Sequence, residues 1–556
     1  MEANAMSRYS VYLEVAADGL TMAHVPDLPG CIVRSSTREA ALQKLPEAIR
    51  RYQDRLRRHG EPAPVEEEVS IEIAGESTGF GPFSSGDAAA LWPPDRSPIT
   101  REEMERYLRL MAYSRADLLA LVGELPDETL DLRASPQSRS IREILRHIGD
   151  AEEWYVSRLL PPERLPPEWE SGEARPSFEF LEMERRTAVE CLRRLGEEER
   201  AGLFYPTHWT EHPEEPWTAR KVLRRFLEHE AEHRDEIREV LAFRRRFLVA
   251  RLTEARSTLL EALLNLDGGT LIERPAVGEW TAKDLLAHLV AWDRWAREEI
   301  GRMFAGEEPD LSAVADVDAF NAAAVAAWRD RSLEEVLAAL QEERAAWVAG
   351  MRGLSEEDFF RRRPIGTYDW SMPGWIEVYV RHEEEHAAGL AEWKRAQVRV
   401  TAGPRALLRA ALSAGREELL AAAELVSPEE RASRPVCGVW TLKDVLGHIA
   451  DWEAYLLVGL RDMAAGRPPR VGYVPDEEAW NQAHARARRD QPWETVWADF
   501  QGVHQALLEV LERMDPADLE RTFPGVWEPI TCPYTWFLPA LAHDREHAGD
   551  IRRAYR

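Results

Sequence analysis

Nine of the fifteen histidines fall into one pattern that recurs three times along the 556 residues. Each copy has an isolated histidine and, further along, a pair of histidines separated by three residues. Residues i and i+4 of a helix project from one face with Cβ atoms about 5–6 Å apart, so both imidazoles reach a single ion. A third imidazole from a facing helix leaves a coordination position open, which suits catalysis. The predicted metal ligands are His147, His229 and His233; His288, His382 and His386; and His448, His543 and His547.

The helix that carries each isolated histidine is recognisable from its first turn. A hydroxyl residue is followed three positions later by an acid, which is typical of a capping box, and the histidine comes seven residues after the hydroxyl. An aromatic residue seven positions beyond the histidine lies on the same helical face. These hydroxyl, acid and aromatic residues are Ser140, Glu143 and Trp154; Thr281, Asp284 and Trp295; and Thr441, Asp444 and Tyr455.

The whole pattern repeats about every 150 residues, most clearly in residues 273–295 and 433–455. Each repeat has room for a first and a third helix around the two that carry histidines. We therefore predict a mainly α fold with three tandem up-down four-helix bundles, at residues 99–243, 244–398 and 399–556. Short β-rich runs around one helix predict a small α+β domain over residues 1–76, and Gly, Ser and Pro predict a linker over 77–98.

Composition excludes several other classes of protein. Hydrophobic residues at 44% and charged residues at 31% are typical of packed globular domains, and a net charge of −28 makes nucleic-acid binding unfavourable. No apolar stretch has the length of a membrane span, and the first residues lack a signal-peptide pattern, so we expect a cytoplasmic protein without membrane partners. The four cysteines form no CxxC pair, which indicates neither a disulfide framework nor a thiolate zinc site.

A glutamate precedes the last histidine of each pair, at Glu232, Glu385 and Glu546. The resulting HxxEH matches inverzincin metalloproteases, but that interpretation leaves the isolated histidines unexplained. The glutamate is equally explained as a hydrogen-bond partner near the metal or as a solvated charge. Glu385 and Glu546 remain candidate catalytic residues.

An asparagine lies 33 residues past the isolated histidine in two repeats, at Asn321 and Asn481. Substrate contact and helix capping explain it equally well, so both are candidate catalytic residues with that alternative open. The first repeat has Phe180 at this offset, so we expect its site to lack the polar group and to be degenerate. Tryptophans beside the isolated histidines are expected in the core; these are Trp280, Trp292, Trp440 and Trp452.

With WTAKDLLAH at 280–288 and WTLKDVLGH at 440–448, each followed by an HxxxH pair, the chain resembles the DinB and YfiT-like superfamily of four-helix-bundle metalloproteins. In the first repeat Arg139 replaces the tryptophan. The resemblance implies a divalent metal, zinc or nickel, on the nine histidines. Several members are similar to thiol S-transferases that use bacillithiol, mycothiol or glutathione. It therefore implies a metal-dependent S-transferase or hydrolase that acts on small electrophilic molecules in detoxification or stress.

The first 76 residues resemble a HicB-like antitoxin domain, on the strength of YSVYLEV, Asp18–Gly19 and AHVPDLPGCIV followed by TREAA. Such domains bind a protein partner, and no DNA-binding segment follows here. We expect a binding or regulatory appendage. The alternative to an enzyme is accordingly a non-catalytic metal- or ligand-binding sensor or scaffold, whose HicB-like domain docks a protein partner.

Overall fold

A computed structural model describes residues 8–65, 68–80, 90–134, 138–169, 175–365 and 368–555. The chain divides into two compact units, Met1–Leu241 and Ala242–Arg556. The predicted mainly α fold with a small α+β region at the N-terminus is confirmed. No helix among the described residues is both long enough and apolar enough to cross a membrane.

The first unit begins with a four-stranded sheet in the order β3-β2-β1-β4, in which β1 pairs antiparallel with β2 and parallel with β4. The helix of this domain is capped by Thr37, whose hydroxyl accepts from the backbone N–H of Ala40. The elements are β1 (Arg8–Ala16), β2 (Thr21–His24), β3 (Ile32–Ser35), α1 (Arg38–Arg58) and β4 (Ser70–Phe80).

Strand β4 continues to Phe80, past residue 76, because its last residues still pair with the end of β1. The first four residues of the predicted linker, 77–80, therefore belong to this strand. Residues 81–89 of that linker lie outside the described residues, and Pro93–Arg96 form a 3₁₀ turn. Trp92 beside this turn is buried, so the end of the predicted linker is part of a packed surface.

The first bundle follows in the same unit. Four long helices form it, the last being the start of α7, which contains no glycine or proline and runs on without interruption into the second unit. The predicted boundary between residues 243 and 244 therefore falls inside a helix. The helices are α2 (Arg101–Val122), α3 (Asp127–Leu130), α4 (Ile141–Val156), α5 (Ser177–Arg193), α6 (Glu197–Ala201) and α7 (Ala219–Leu263).

The N-terminal domain and the first bundle share one hydrophobic core. Val11 and Ile49 belong to the same buried cluster as Tyr107 and Phe226. The expectation of an appendage is wrong in this respect, because apolar faces of the sheet and of α1 are covered by bundle helices rather than by water.

The second unit contains the second bundle, whose first helix is the end of α7. A helix that the sequence analysis did not predict, α10, lies between its second and third long helices. The further elements are α8 (Gly268–Glu273), β5 (Pro275–Val277), β6 (Trp280–Thr281), α9 (Ala282–Phe304), α10 (Val317–Trp328), α11 (Leu333–Gly353), α12 (Glu356–Phe360), β7 (Arg363–Ile365), β8 (Tyr368–Trp370) and α13 (Met372–Arg395).

The third bundle repeats this order, and α16 corresponds to α10. The second and third bundles share a core that includes Leu260, Leu286, Leu412 and Trp536. Arg552 also connects them through ion pairs of 2.9 Å with Glu254 and Glu418. The elements are α14 (Arg405–Ala423), β9 (Pro435–Cys437), β10 (Trp440–Thr441), α15 (Leu442–Ala464), α16 (Glu477–Arg488), α17 (Trp493–Arg513), β11 (Phe523–Pro524), β12 (Ile530–Thr531) and α18 (Pro533–Ala554).

Candidate metal centres

The three predicted capping boxes begin the helices that carry the isolated histidines. In each, the acid's backbone N–H donates to the hydroxyl oxygen and its carboxylate accepts from the backbone N–H of the hydroxyl residue. Two of the backbone N–H groups that have no partner within the helix are thereby satisfied, which fixes the helix start two turns before the histidine. The helices are α4, α9 and α15.

The predicted histidines of the second bundle come together. Nε2 of His382 lies 3.2 Å from Nε2 of His288 and 2.9 Å from Nε2 of His386. Two nitrogens bound to one tetrahedral zinc ion are about 3.3 Å apart, so this spacing suits a shared ion. Burial and the neighbouring histidines lower the pKa of His288 to about 3 and that of His386 to about 4. The rings are therefore neutral, which is the form that binds metals.

The third bundle has the same arrangement. Nε2 of His448 lies 3.1 Å from Nε2 of His543, and the ligand atoms of these two and of His547 all lie within 4.8 Å of one another. Burial, with the other imidazoles, lowers the pKa of His448 to about 3 and, with His547, that of His543 to about 4. The second and third sites are thus alike in their donors.

In the first bundle Nε2 of His229 lies 3.2 Å from Nε2 of His147 and 3.1 Å from Nε2 of His233. Phe180 is buried, so the polar group is indeed missing. The imidazoles nevertheless converge as closely as in the other bundles. The first site was expected to be degenerate, but its three histidines are placed as in the other two sites.

The last histidine of two triads has a carboxylate partner on its other ring nitrogen. Nδ1 of His233 lies 2.6 Å from Glu236, and Nδ1 of His547 lies 3.0 Å from Asp550. Gly389 stands at this position in the second bundle, three residues after His386. A carboxylate there orients a ligating imidazole and raises its basicity, so the second site lacks a support that the other two have.

Cys437 lies beside the third triad, a contact that the sequence analysis did not predict. Its thiol donates to Asp550 at 3.1 Å. Burial and Asp550 raise the pKa of this thiol to about 11. Cys437 is therefore a neutral hydrogen-bond donor to the carboxylate that supports His547.

The two candidate asparagines lie inside the unpredicted helices α10 and α16, which are capped instead by Asp316 and Asp476. The helix-capping explanation is therefore wrong. The indole N–H of Trp292 donates to Oδ1 of Asn321 at 3.0 Å, and that of Trp452 donates to Oδ1 of Asn481 at 2.9 Å. Each asparagine thus holds a tryptophan that lies one turn after the isolated histidine.

Open cavities adjoin the second and third triads. The cavity of the second bundle has a volume of about 290 Å³ and includes Asn321 and Glu385 in its lining. The cavity of the third bundle has a volume of about 870 Å³ and includes Asn481 and Glu546. All four candidate catalytic residues therefore face space beside a histidine triad.

Trp292, Trp440 and Trp452 also line these cavities and are only partly buried, so they are not confined to the core as expected, although Trp440 packs against it. The reason is helical spacing, since Trp292 and Trp452 follow the histidines by one turn on the same face. Trp280 packs against the triad as well, with its ring centroid 5.3 Å from that of His288.

In the first bundle, the glutamate before the last histidine has a different partner from its counterparts. Glu232, which corresponds to Glu385 and Glu546, forms an ion pair with Arg34 from β3 of the N-terminal domain. One turn earlier on α7, Glu228 is buried and lies 2.9 Å from Nδ1 of His24. The N-terminal domain is thus bound to the helix that carries His229 and His233.

A buried ion network lies next to each triad and was missed in the sequence analysis. In the second bundle Arg256 pairs with Asp293 at 2.9 Å and with Glu383 at 2.6 Å, and Arg344 pairs with the same two carboxylates. The sequence does contain a feature that marks these networks. An acid lies five residues after each isolated histidine, and another acid directly follows the first histidine of each pair. The corresponding networks are Arg115, Arg185, Glu152 and Glu230, and Arg416, His504, Glu453 and Asp544.

The third network has a histidine where the others have a second arginine. In the second bundle burial raises the pKa of Glu383, but Arg256 and Arg344 outweigh it and hold the pKa below its ordinary value. In the third bundle burial, opposed by Arg416, raises the pKa of Asp544 to about 6. These networks tie the HxxxH helix to the other three helices, so they fix where the histidines point.

A sequence model of the DinB superfamily matches residues 110–237, 251–389 and 411–551. The chain belongs to the DinB superfamily. DinB superfamily domains are metal-binding, and each of the three DinB domains here contains a histidine triad.

The N-terminal domain is similar to the UPF0150 protein Ta0767 of Thermoplasma acidophilum. The two are 36% identical over 66 residues, which are 12% of this chain and 96% of that protein. This match confirms the HicB-like resemblance of the segment before the DinB domains. No solved structure matches the chain.

Proposed function

We propose that the chain is a metal-dependent enzyme whose second and third DinB domains act on small electrophilic molecules, as thiol S-transferases or hydrolases. The observation that carries this is the convergence of three imidazoles from two helices beside an open cavity. A structural metal site would be closed on all sides, whereas three ligands and adjoining space leave room for a substrate.

The donor set fits zinc or nickel, since borderline metals accept three imidazoles. Bound there, such an ion would supply Lewis acidity that deprotonates a coordinated thiol or lowers the pKa of coordinated water to about 7. The chain's own residues position the reactants. Asn321 and Asn481 hold the tryptophan walls, and Glu385 and Glu546 place carboxylates where a proton can be accepted.

The assay uses the full chain without a histidine tag, loaded with zinc or nickel. Glutathione is offered with 1-chloro-2,4-dinitrobenzene, in which the sulfur–carbon bond replaces the carbon–chlorine bond and chloride and a proton are released. An ester panel tests hydrolysis. We expect turnover that is lost in the double variant His386→Ala, His547→Ala and kept in His212→Ala, a half-exposed histidine outside the triads. If the metal-loaded protein neither conjugates glutathione nor hydrolyses any ester of the panel, the proposal that it is an enzyme is contradicted.

A different role is supported for the first DinB domain. There Arg34 pairs with the glutamate that lines the cavities of the other domains, and His24 pairs with Glu228 beside His229. We propose that this site binds metal without catalysis and couples it to the state of the HicB-like domain, as a sensor or partner-docking module.

The shared core makes deletion of residues 1–76 an unsuitable test, because the first bundle would lose part of its own interior. The exposed variant Arg34→Glu is preferable, with Arg38→Glu on the same domain as a control. Hydrogen exchange of the HicB-like domain is measured with and without metal, and we expect the effect of metal to differ between wild type and Arg34→Glu. If metal changes the exchange equally in both proteins, the proposed coupling is contradicted.

A further inference from the structure

The cavities of the second and third DinB domains differ in charge at matched positions. We propose that the third cavity binds small organic cations and that the second does not. This rests on the proposed function, because it takes the same two cavities as substrate sites. It adds the chemical class of the substrate.

Two matched positions carry the difference. Val317 and Glu477 are the first residues of α10 and α16, directly after the capping aspartates. Arg381 and Ala542 directly precede the first histidine of each pair. All four residues line their cavities and are exposed, so the charge differs where a ligand enters rather than in the core.

The net charge of the side chains that line each cavity decides whether the cavity prefers a cation or an anion. The charged side chains that line the second cavity are Arg381 and Glu385, which cancel, and Asp318 occupies the position of Glu478 without lining the cavity. Around the third cavity they are Glu477, Glu478 and Glu546, a balance of three negative charges. A divalent ion on each triad makes the second site positive by two and leaves the third negative by one. The third cavity alone therefore attracts cations even with metal bound.

The walls of the third cavity also suit a cation. Trp440, Trp452 and Trp527 line it. Aromatic faces attract organic cations within about 6 Å of the ring centroid. The second cavity has tryptophans too, Trp292 and Trp375, so the acids rather than the rings distinguish the two sites.

A basic recess lies next to the third cavity and favours the opposite result, which is the binding of anions. It has a volume of about 450 Å³, shares Trp440 and Glu478 with the cavity, and is lined by Arg486 and Arg489. The amine of Lys443, also in its lining, already donates to the backbone carbonyls of Arg489 and Gln491. If these cations governed binding, the third domain would prefer anions.

The experiment is calorimetric titration of the full chain, with zinc and without it. The probes are benzyltrimethylammonium, which offers no atom to a metal, and benzenesulfonate. We expect the cation to bind at one site per chain and more tightly than the anion. Glu477→Val with Ala542→Arg, which installs the residues of the second domain, should weaken cation binding about fivefold or more. Val317→Glu with Arg381→Ala leaves the lining of the second cavity negative by two and should create a second cation site in the zinc-free protein.

Metal content of every variant is measured in parallel. Preference for benzenesulfonate, or cation binding unchanged by the first exchange at normal metal content, overturns the inference. Cation binding without any turnover contradicts only the proposed catalysis. Turnover of neutral electrophiles without cation binding contradicts only this inference.

Discussion

Nδ1 of His547 lies 3.0 Å from Oδ2 of Asp550, and the second DinB domain has no counterpart of this pair because Gly389 replaces the aspartate. Carboxylate partners of ligating histidines typically change metal affinity about 10- to 100-fold. The three otherwise similar triads are thereby expected to differ in affinity, with the second weakest.

Gly389→Asp should strengthen metal binding at the second site by about tenfold. A Cβ at Gly389 meets no atom within 4 Å, so the new side chain has room. Competition with a chelator measures the affinity, in a background in which His233→Ala and His547→Ala silence the other sites. Gly389→Asn controls for volume without charge. An equal gain in both variants would show that the carboxylate is not the cause.

Metal should be retained at lower pH than ordinary histidines allow. Protons compete for an imidazole when the pH is near or below its pKa, and burial lowers the pKa of His448 to about 3 and that of His543 to about 4. Metal content after dialysis should therefore stay constant from pH 8 to pH 6. Release with a midpoint near 6.5, the ordinary histidine value, would show that the rings are not buried as described.

Arg344→Met should destabilise the second domain by about 3–5 kcal/mol, because it leaves Asp293 and Glu383 with one arginine in a buried network. Hydrogen exchange of peptides from α9 and α13 reports this locally, which avoids assuming a two-state transition for a chain of several domains. Arg294→Met removes a partly exposed ion pair with Glu343 and should cost about 1 kcal/mol or less. Comparable losses in both would mean that the network adds no special stability.

Glu184→Gln should stabilise the first domain increasingly as the pH rises. Glu184 is buried, and burial with nearby acids raises its pKa to about 9. Between the ordinary value near 4.5 and pH 9 only the folded state keeps the proton, so the free energy of unfolding falls with pH. Because glutamine does not ionise, the variant does not lose this part of its free energy of unfolding as the pH rises. Exchange protection of α4 and α5 should exceed wild type at pH 8 and match it at pH 5, whereas the exposed control Glu182→Gln should match wild type at both pH values.

The histidine triads were predictable because their spacing is local. The HxxxH pairs and the capping boxes depend on contacts within one helix, and the triple recurrence related distant helices without any coordinates. Helix α10 was missed because its alanine-rich sequence lies between two stronger helices, and with it the contact of Asn321 with Trp292 was missed.

The ion networks and the Arg34–Glu232 pair depend on tertiary placement. Arg256 and Arg344 come from two helices that carry no triad histidine of their own bundle, and nothing near them in sequence marks their partners. Arg34 reaches Glu232 only because the HicB-like domain packs on α7. Sequence spacing alone contains no information on such docking.

Elemental analysis of the tag-free protein tests the central claim most directly. Wild type should hold about three equivalents of divalent metal, and His233→Ala, His386→Ala and His547→Ala should each remove about one, because all three triads converge alike. Metal content that is unchanged by these substitutions, in protein that remains folded, would contradict the account.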